Sequence, residues 1–479
     1  MRLSGLTVLS TNEMDMVYGA ALVILGDTGV LLHSEKVLDM VSRKGAVADK
    51  HTGIVKFPGH VVEACLKSAP KTLDLYSRER DSRITLGDGT VHFASGHNAV
   101  FIGEPGGNIR EGLKKDVEVF ALLADASDVV DINAVPVSAG DVPQRSYSLH
   151  AVEALFNNSR KHVMFASDDV NETRAVIKIA EAVCGGALAE APIITCQVSP
   201  SSPLTWQKGT AEALAEAVLS GVPVTIWTSP MGGASAPYTL AAQVIQYFAE
   251  VLSGIVLTQL IREGAPVIAA GGCGNTLDMR SCMVSLASAE TSVLRVAGAQ
   301  LLKKFGLLSH IKGFDCDSYI YDEQTGMEKM ITAAAGAFAG ADIVVNIGMY
   351  GAGLVAGFEQ FVIDCEMARI LKMMMDGISF GEGRMAAGLI KNAGHSASYM
   401  DSEHTCEYLR SGERHLSALL NRSSYDAWAR SGAPDLIASA TPIVKSILEK
   451  HEPPRLDGYR RKEISKIIKD YENRGSADV

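Results

Sequence analysis

The chain has 479 residues, of which 47% are hydrophobic and 45 are glycine, and its formal charge at pH 7 is −11. This composition is typical of a soluble, well-packed globular protein and excludes a fibrous or disordered one. The acidic balance, without a run of lysines or arginines along one face, argues against nucleic acid as a partner.

The N-terminal residues 1–90 are predicted to form a helical region ahead of the main domain. The segment "STNE" (Ser10–Glu13) fits a capping box, and the helix that it begins is expected to end at Gly26. A second helix is predicted within "GHVVEACLKSAP", where Pro70 ends it.

From Val91 onward, short apolar runs alternate with longer helical patterns at intervals of roughly 30 to 45 residues, which is the spacing of βα units. Eight such units predict a TIM barrel over residues 91–395. A doubly wound open sheet is the alternative, but no GxGxxG follows the first strand and no GxxxxGK[ST] occurs. The eight runs are "VHFAS", "VVDINAV", "HVMFAS", "PIITCQV", "PVTIWT", "PVIAAGG", "LSHIKGF" and "IVVNIGM".

The C-terminal residues 396–479 form a charged pattern that predicts a helical extension, packed around the barrel or against a partner. The final "SADV" is expected to be disordered. His404 and His415 lie in this extension, and we interpret them as surface or packing residues.

The apolar stretches and the cysteines predict a cytoplasmic protein without a membrane span. The start of the chain has no apolar segment of signal-peptide length. The stretch 333–363 is long enough to cross a bilayer, but Asp342 and Asn346 interrupt it, so it predicts helix, strand and helix. No CxxC pair occurs, which predicts reduced thiols and no zinc site among Cys65, Cys184, Cys196, Cys273, Cys282, Cys316, Cys365 and Cys406.

In a barrel, chemistry belongs at the C-terminal ends of the strands. His97 and Asn98 follow the first run and can hydrogen-bond a substrate carboxylate, or they can simply form a turn. The acidic cluster that begins at Asp315 is better explained as a solvated loop than as a metal site, because no histidine lies near it.

Aromatic residues also follow several runs, and together they can cage a quaternary ammonium group by cation–π attraction. Taken singly, each is more often explained by ordinary packing. The candidates for the cage are Trp227, Tyr319, Tyr321, Tyr350 and Phe358.

Three loops after separate strands are rich in small residues: "PMGGASAP", "AAGGCGN" and "GMYGAGLVAG". On a barrel they share one face and can form a shallow mouth for a flat object close to the backbone; close helix–strand packing is the alternative. Their glycines include Gly232, Gly233, Gly272, Gly274, Gly351 and Gly353.

Long blocks of this sequence resemble the trimethylamine methyltransferase family. They include "LHSEKVLDMVSRKGA", "APKTLDLYSRERDSRITLGDG", "PMGGASAPYTLAAQVIQYFAEVLSGIVLTQLIREGAPVI", "GMYGAGLVAGFEQFVIDCEMA" and "HTCEYLRSGERHLSALLNRSSYDAWARSGAPD", and they span roughly residues 10–440. The resemblance implies a TIM barrel that transfers a methyl group from a methylated amine to the cobalt of a separate corrinoid protein.

The trimethylamine enzymes of the family carry pyrrolysine, whereas this chain contains only the twenty ordinary residues. It therefore resembles the non-pyrrolysine branch, the glycine betaine–corrinoid methyltransferases. A quaternary ammonium substrate already has a neutral tertiary amine as its leaving group. Transfer of its methyl group therefore needs no acid, base, nucleophilic side chain or protein metal. A DxHxxG segment is absent, so the partner is expected to supply cobalamin, with the six glycines at its docking site.

The resulting hypothesis is methyl transfer from glycine betaine, with His97 and Asn98 at its carboxylate and the aromatic residues at its ammonium group. A homo-oligomer fits a barrel of this size. Two alternatives stay open: a non-catalytic osmolyte-binding barrel, and a lyase or aldolase. The latter needs a Schiff-base lysine or metal ligands at strand ends, and we place Lys161 and Lys312 at strand starts.

Overall fold

In the computed structural model, which describes residues 5–395 and 397–474, eight parallel strands close into a barrel. All eight predicted runs form its strands in order, and a helix follows each, so the TIM barrel is confirmed. The strands are β1 (His92–Ser95), β2 (Val130–Ala134), β3 (His162–Ala166), β4 (Ile194–Val198), β5 (Val224–Trp227), β6 (Val267–Ala270), β7 (Leu308–Lys312) and β8 (Ile343–Ile347). The helices are α1 (Lys114–Ala126), α2 (Tyr147–Asn158), α3 (Val170–Cys184), α4 (Lys208–Leu219), α5 (Leu240–Ile261), α6 (Ala289–Lys304), α7 (Glu323–Ala339) and α8 (Phe358–Asp376).

The N-terminal region contains strands as well as the predicted helices. The capping box at Ser10 is confirmed, because Ser10 N donates to Glu13 Oε2 at 2.7 Å and Glu13 N donates to Ser10 Oγ at 3.3 Å. The expected end at Gly26 was wrong: the helix continues as a π-helix, and the chain turns at Gly29, whose φ is 74°. Its helices are Thr11–Val23, Ile24–Thr28, Glu35–Ser42 and Gly59–Ser68, and its strands are Val30–Leu32, Val47–Ala48, Ile54–Lys56, Leu73–Tyr76 and Arg83–Leu86.

A hairpin of the last two of these strands closes the N-terminal end of the barrel. Its residues Leu75 and Leu86 are buried in one cluster with Ala94, Ile268 and Leu308, whose strand neighbours pack outward against the helices. Side chains alternate between the two faces of a strand, so this cluster fills the lumen. The barrel is therefore open to ligands from its C-terminal end.

Two small sheets rise from the loops at that C-terminal end. One joins Met231–Gly232, Asn275–Asp278 and Met283–Ser285, and the other joins Phe101–Gly103, Ile109–Glu111, Met349–Tyr350 and Val355–Ala356. They build up the wall of the mouth above β5, β6 and β8. Backbone hydrogen bonds within these two sheets hold the loops after β1, β5, β6 and β8 in place.

The C-terminal extension contains four short helices and two long ones. The long helix Leu436–Lys450 packs against α8 and α1, and Gly458–Arg474 packs against α3. The short ones are Glu382–Met385, Ala387–Ala393, Glu403–Arg410 and Tyr425–Arg430. The terminal "SADV", expected to be disordered, lies outside the described residues.

The predicted helix, strand and helix of 333–363 are confirmed by α7, β8 and α8. Among the described residues, one helix is long and apolar enough to cross a membrane, α5, and 89% of its most apolar window is buried inside the protein. We therefore interpret its apolarity as that of a helix within the core.

A buried ion pair joins α7 to α8 beneath the mouth. Lys329 Nζ lies 2.9 Å from Asp364 Oδ2, and both side chains are fully buried. Burial raises the pKa of Asp364 to about 6, although Lys329 and the amide of Gly348 lower it. Buried pairs are costly to break, because the remaining charge is left without its partner.

Replacing Lys329 by Met is expected to lower the free energy of unfolding by about 3–5 kcal/mol, the usual cost of leaving one charge of a buried pair. Urea unfolding of the variant measures this loss. Lys303→Met, at an exposed lysine of α6, is the matched control and is expected to change the stability by less than about 0.5 kcal/mol. A loss below about 1 kcal/mol in Lys329→Met would contradict a structural role for the pair.

Candidate active site

Alternating side chains of β7 line the lumen from its base to its mouth. Leu308 belongs to the lumen cluster, and His310 and Lys312 follow at intervals of two residues, so they face the same way. Lys312 is the last residue of β7 and not, as the sequence suggested, at a strand start; Lys161 does precede β3. Lys312 therefore lies at a strand end, the position that a Schiff-base lysine requires.

Lys312 is held above the lumen by polar and aromatic contacts. Its Nζ donates to Ser229 Oγ at 2.9 Å and to Asn275 Oδ1 at 3.2 Å, and it lies 5.1 Å from the centroid of the Trp227 ring. Burial lowers the pKa of Lys312 to about 8, with Asp315 opposing the shift and Arg295 adding to it. The ammonium group is therefore charged at neutral pH but incompletely compensated.

Two neutral histidines lie near this lysine. The His310 ring meets the Trp227 ring edge-on, with centroids 4.9 Å apart. Burial lowers the pKa of His310 to about 3, helped by His97 and Lys312, and it lowers the pKa of His97 to about 4. Both imidazoles are uncharged at neutral pH, so they offer hydrogen bonds without adding charge.

Within the part of the chain that the structure describes, several buried polar atoms around the lumen have no protein hydrogen-bond partner. An unpartnered buried polar group costs about 1–3 kcal/mol, so such a concentration points to a site for a polar ligand or ordered water. Gln197 also lines, with Asn98, a cavity of about 610 Å³ at the mouth. The atoms include both ring nitrogens of His97 and His310, Gln197 Oε1, and the hydroxyls of Thr225 and Thr228.

A second polar group flanks the lysine. Arg295 Nη2 lies 2.5 Å from Asp315 Oδ2, and Asn346 Nδ2 donates to Asp315 Oδ1 at 2.6 Å. Asn346 has a φ of 88°, a conformation rarely adopted outside glycine and often kept at functional sites. Asp315 is buried, so the interpretation as a solvated loop was wrong for this residue. Among residues 5–395 and 397–474, no group of three acidic, histidine or cysteine residues is placed to hold a metal ion.

The predicted aromatic residues do not converge on one cage. Trp227 packs against the lumen cluster. Tyr321 and Tyr350, with ring centroids 5.0 Å apart, belong to a separate cluster beside the mouth. Phe358 packs on Phe120 outside the barrel, and Tyr319 is 45% exposed at the rim.

Four of the six predicted docking glycines are buried against the protein itself. A Cβ at Gly274 would lie 2.0 Å from Pro230 O, and one at Gly232 would lie 2.4 Å from Gln243 Oε1. Gly272 and Gly351 are similarly enclosed, by Arg295 and by the Tyr319 ring. Close packing of the loops accounts for these four, whereas Gly233 and Gly353 reach the surface of the mouth.

Exposed apolar side chains lie along one side of the mouth. They come from the loops after the neighbouring strands β5, β6, β7, β8 and β1, and we call them the mouth rim. Exposed apolar side chains beside a polar site favour the docking of a second apolar surface there. The mouth rim consists of Val100, Tyr238, Met279, Met283, Tyr319, Ile320 and Leu354.

Sequence reasoning missed His310, Lys312 and Gln197 as site residues. These residues lie within the runs "LSHIKGF" and "PIITCQV", whereas the predicted site residues lie mainly in the loops that follow the runs. The alternation of side chains would have indicated that alternate polar residues near the C-terminal end of each run face the lumen.

The sequence is similar to those of known methyltransferases. Residues 2–476 match the family model described as trimethylamine methyltransferase (MTTB). A trimethylamine methyltransferase of Desulfitobacterium hafniense is 32% identical over 472 residues, covering 98% of this chain and 95% of that protein. The glycine betaine methyltransferase of the same species is 29% identical over 455 residues, covering 94% of each chain. The solved monomethylamine methyltransferase of Methanosarcina barkeri is 13% identical, with a TM-score of 0.49, and covers 96% of this chain and 92% of that one.

Proposed function

Because the chain belongs to the trimethylamine methyltransferase family over nearly its whole length, we propose that this methyltransferase uses a quaternary amine bearing a carboxylate, with glycine betaine as the first candidate. The methyl acceptor in this proposal is the Co(I) of a separate corrinoid protein. The family relatives include enzymes named for trimethylamine and for glycine betaine, so the choice of substrate depends on the site itself.

The observation that carries the choice is the buried Lys312. In the described part of the site, Arg295 pairs with Asp315 and also interacts with Asp317, whereas Lys312 has no carboxylate within ion-pair distance and interacts with Asp315 only from farther away. A zwitterion brings a carboxylate to balance the charge of Lys312, whereas a simple amine cation adds to it. The site therefore favours a betaine over trimethylamine.

Lys312 takes the role that the sequence suggested for His97 and Asn98. In the proposed complex its ammonium group binds the substrate carboxylate, and the neutral His97 can donate a further hydrogen bond. Asn98 forms part of the cavity wall. Without substrate, the ammonium group of Lys312 lies over the face of the Trp227 ring. In the proposed complex Lys312 binds the carboxylate instead, and the ring face is then free to contact the trimethylammonium group.

The reaction is a direct displacement with no proton to move. The lone pair of Co(I) forms the Co–C bond while the C–N bond pair stays on nitrogen, which leaves as a neutral tertiary amine. The neutral His97 and His310 agree with a chemistry that needs neither acid nor base. The contribution of this chain is then to orient the methyl group and exclude water.

The mouth rim and the surface glycines Gly233 and Gly353 support docking of the corrinoid protein at this end. The corrin is a broad, flat group, and exposed apolar side chains on five loops can contact it or the protein around it. The cobalt would approach along the barrel axis, toward Trp227 and Lys312. The other four predicted glycines are left out of this proposal because the protein itself covers them.

An anaerobic visible spectrum tests the function directly. The protein is mixed with cob(I)alamin or a cognate corrinoid protein, and glycine betaine, carnitine, choline and trimethylamine are added in separate reactions. Loss of the cob(I) band and growth of the methyl-cob(III) band with a betaine would support the proposal. A response to trimethylamine alone would contradict the proposal that the substrate is a betaine. Binding of betaine without transfer to any corrinoid would instead favour the osmolyte-binding alternative.

The activity should fall as the pH rises through about 8, because Lys312 loses its proton there and the carboxylate loses its partner. We expect kcat/KM for glycine betaine to fall about tenfold per pH unit above this value. Unfolding does not explain this loss of activity. Between pH about 8 and 10.5, the ordinary pKa of lysine, Lys312 carries a proton in the unfolded chain but not in the folded one. The contribution of Lys312 to the free energy of unfolding therefore increases as the pH rises through this range. A flat profile between pH 7 and 9.5 would contradict the role of Lys312.

A further inference from the structure

A polar cavity lies beside the mouth rim, over the other strands of the barrel. It has a volume of about 610 Å³ and opens among the loops after β1, β2, β3 and β4, and we call it the polar cavity. Its floor includes Ala166, which follows the lumen residue Met164 at an interval of two and therefore faces the lumen. The polar cavity is thus continuous with the top of the lumen.

The polar cavity contains a buried acceptor without a partner and an uncapped helix start. Gln197 is 6% exposed, and its Oε1 has no hydrogen-bond partner in the part of the chain that the structure describes. Helix α4 begins at the same cavity, with Thr210 in its first turn, and the Gln207 side chain makes no capping hydrogen bond. The first amides of α4 have no intrahelical partner. Together these groups can bind a ligand that both donates and accepts hydrogen bonds.

The charges around the polar cavity favour a neutral ligand. Arg145 and Asp168 are exposed at its outer edge. Asp169 Oδ1 accepts from Glu172 N at 2.7 Å, and Glu172 Oε2 accepts from Ser167 Oγ at 2.6 Å. Burial raises the pKa of Glu172, because a carboxylate is costly there. An additional carboxylate on a ligand would be repelled by these acidic groups, whereas a hydroxyl or an amide would not.

The polar cavity adjoins the position of the substrate in the proposed function. There the carboxylate lies at Lys312 and the ammonium group at Trp227, so the carbon that joins them lies between these two residues. Gln197 on β4 pairs with Thr225 on β5, two residues before Trp227. Glycine betaine carries only hydrogen atoms on the joining carbon and has no group to direct into the polar cavity.

We propose that the polar cavity binds a neutral hydroxyl or amide side group on the joining carbon, so that the preferred substrate is the betaine of a polar amino acid. This inference rests on the proposed function and narrows its substrate class. A hydroxyl side group donates to Gln197 Oε1 and accepts from an amide at the start of α4. An amide side group can do the same through its NH₂ and its carbonyl oxygen.

Methyl transfer from a panel of trimethylated amino acids to cob(I)alamin tests the inference. The panel consists of glycine betaine and the trimethyl derivatives of alanine, serine, glutamine and glutamate. We expect kcat/KM for the serine derivative to exceed that for the alanine derivative by about tenfold or more, because a site that hydrogen-bonds a hydroxyl rejects the analogue without it. The glutamine derivative should exceed the glutamate derivative similarly. Calorimetric titration without any corrinoid should give dissociation constants in the same order.

Two variants and a matched control locate the contact. Gln197→Leu removes the amide with little change in size and is expected to lower the serine-to-alanine ratio of kcat/KM to about one. Thr210→Val should lower this ratio too, and it serves as the second variant if Gln197→Leu does not fold. Gln300→Leu makes the same change at a glutamine whose Oε1 accepts from the amides of Val8 and Leu9, and it should keep the ratio.

The outcomes separate this inference from the proposed function. Transfer from the glycine and alanine derivatives without a preference for a polar side group would overturn the inference alone. A preference for the glutamate derivative, or a serine preference that persists in both variants, would also overturn it. Binding in the expected order without transfer to cob(I)alamin would support the polar cavity and contradict the proposed reaction. Neither binding nor transfer of any member would overturn both.

Discussion

Replacing Lys312 by Met is expected to lower kcat/KM for glycine betaine by about a hundredfold or more. A charge-assisted hydrogen bond to a buried carboxylate is worth about 3 kcal/mol, and each 1.4 kcal/mol changes a constant tenfold. The fold should survive, because methionine has a similar length and the change removes an incompletely compensated buried charge. Steady-state methyl transfer with the corrinoid acceptor measures the effect.

The substrate panel separates a lost carboxylate contact from general damage. Choline carries the same trimethylammonium group without a carboxylate, so the ratio of betaine to choline activity should collapse in Lys312→Met, while any choline activity is retained. Lys303→Met, at the exposed lysine of α6, is expected to leave both activities unchanged. If Lys312→Met kept its preference for betaine, the carboxylate would have to bind elsewhere in the mouth, with Asn98 and Gln197 as the next residues to test.

Replacing Trp227 by Ala is expected to raise KM for glycine betaine by roughly thirtyfold. A desolvated cation–π contact contributes about 2 kcal/mol, and Trp227 is the one predicted aromatic residue that faces the lumen. The Trp227→Phe variant keeps an aromatic face and should lose less. Substrate titration of the two variants measures the difference, and thermal unfolding records how far the missing indole affects the fold.

Trp206 provides the matched control for Trp227. It is fully buried in the outer layer of the barrel, and its Nε1 donates to Ser253 Oγ at 3.0 Å. Trp206→Phe should therefore lower stability and leave KM unchanged, the reverse of the pattern expected at Trp227. An unchanged KM in Trp227→Ala would mean that the ammonium group does not contact this ring.

The placement of polar groups fits the proposed displacement, which needs little catalytic machinery. The lumen is sealed by apolar packing at one end, and at the other end it carries Lys312, which has no carboxylate of the described residues within ion-pair distance. His97 and His310 are uncharged at neutral pH, and their ring nitrogens have no hydrogen-bond partner in the described part of the protein. The proposed reaction requires that the methyl group be held in one orientation and that water be excluded from the site. The shape of the site provides both, without acid–base chemistry.

The amino-acid sequence by itself determined the regular structure of the barrel. The eight strands, the helix after each and the capping box at Ser10 follow from short apolar runs, helical spacing and cap residues, all of which act over a few neighbouring positions. The long blocks shared with the family similarly indicated membership without any knowledge of contacts. The helix expected to end at Gly26 instead continues as a π-helix to Thr28.

Only the tertiary structure decided which residues meet at the mouth. His310 and Lys312 lie within an apolar run that predicts a buried strand. Their side chains point toward the lumen because of the register and tilt of the strands in a closed barrel. The aromatic residues share strand-end positions with Trp227, yet three of them pack elsewhere: Tyr321 lies against Tyr350 beside the mouth, and Phe358 lies against Phe120 outside the barrel. Local sequence fixes how each strand begins and ends; the convergence of eight loops is set by closure of the barrel, which depends on all strands at once.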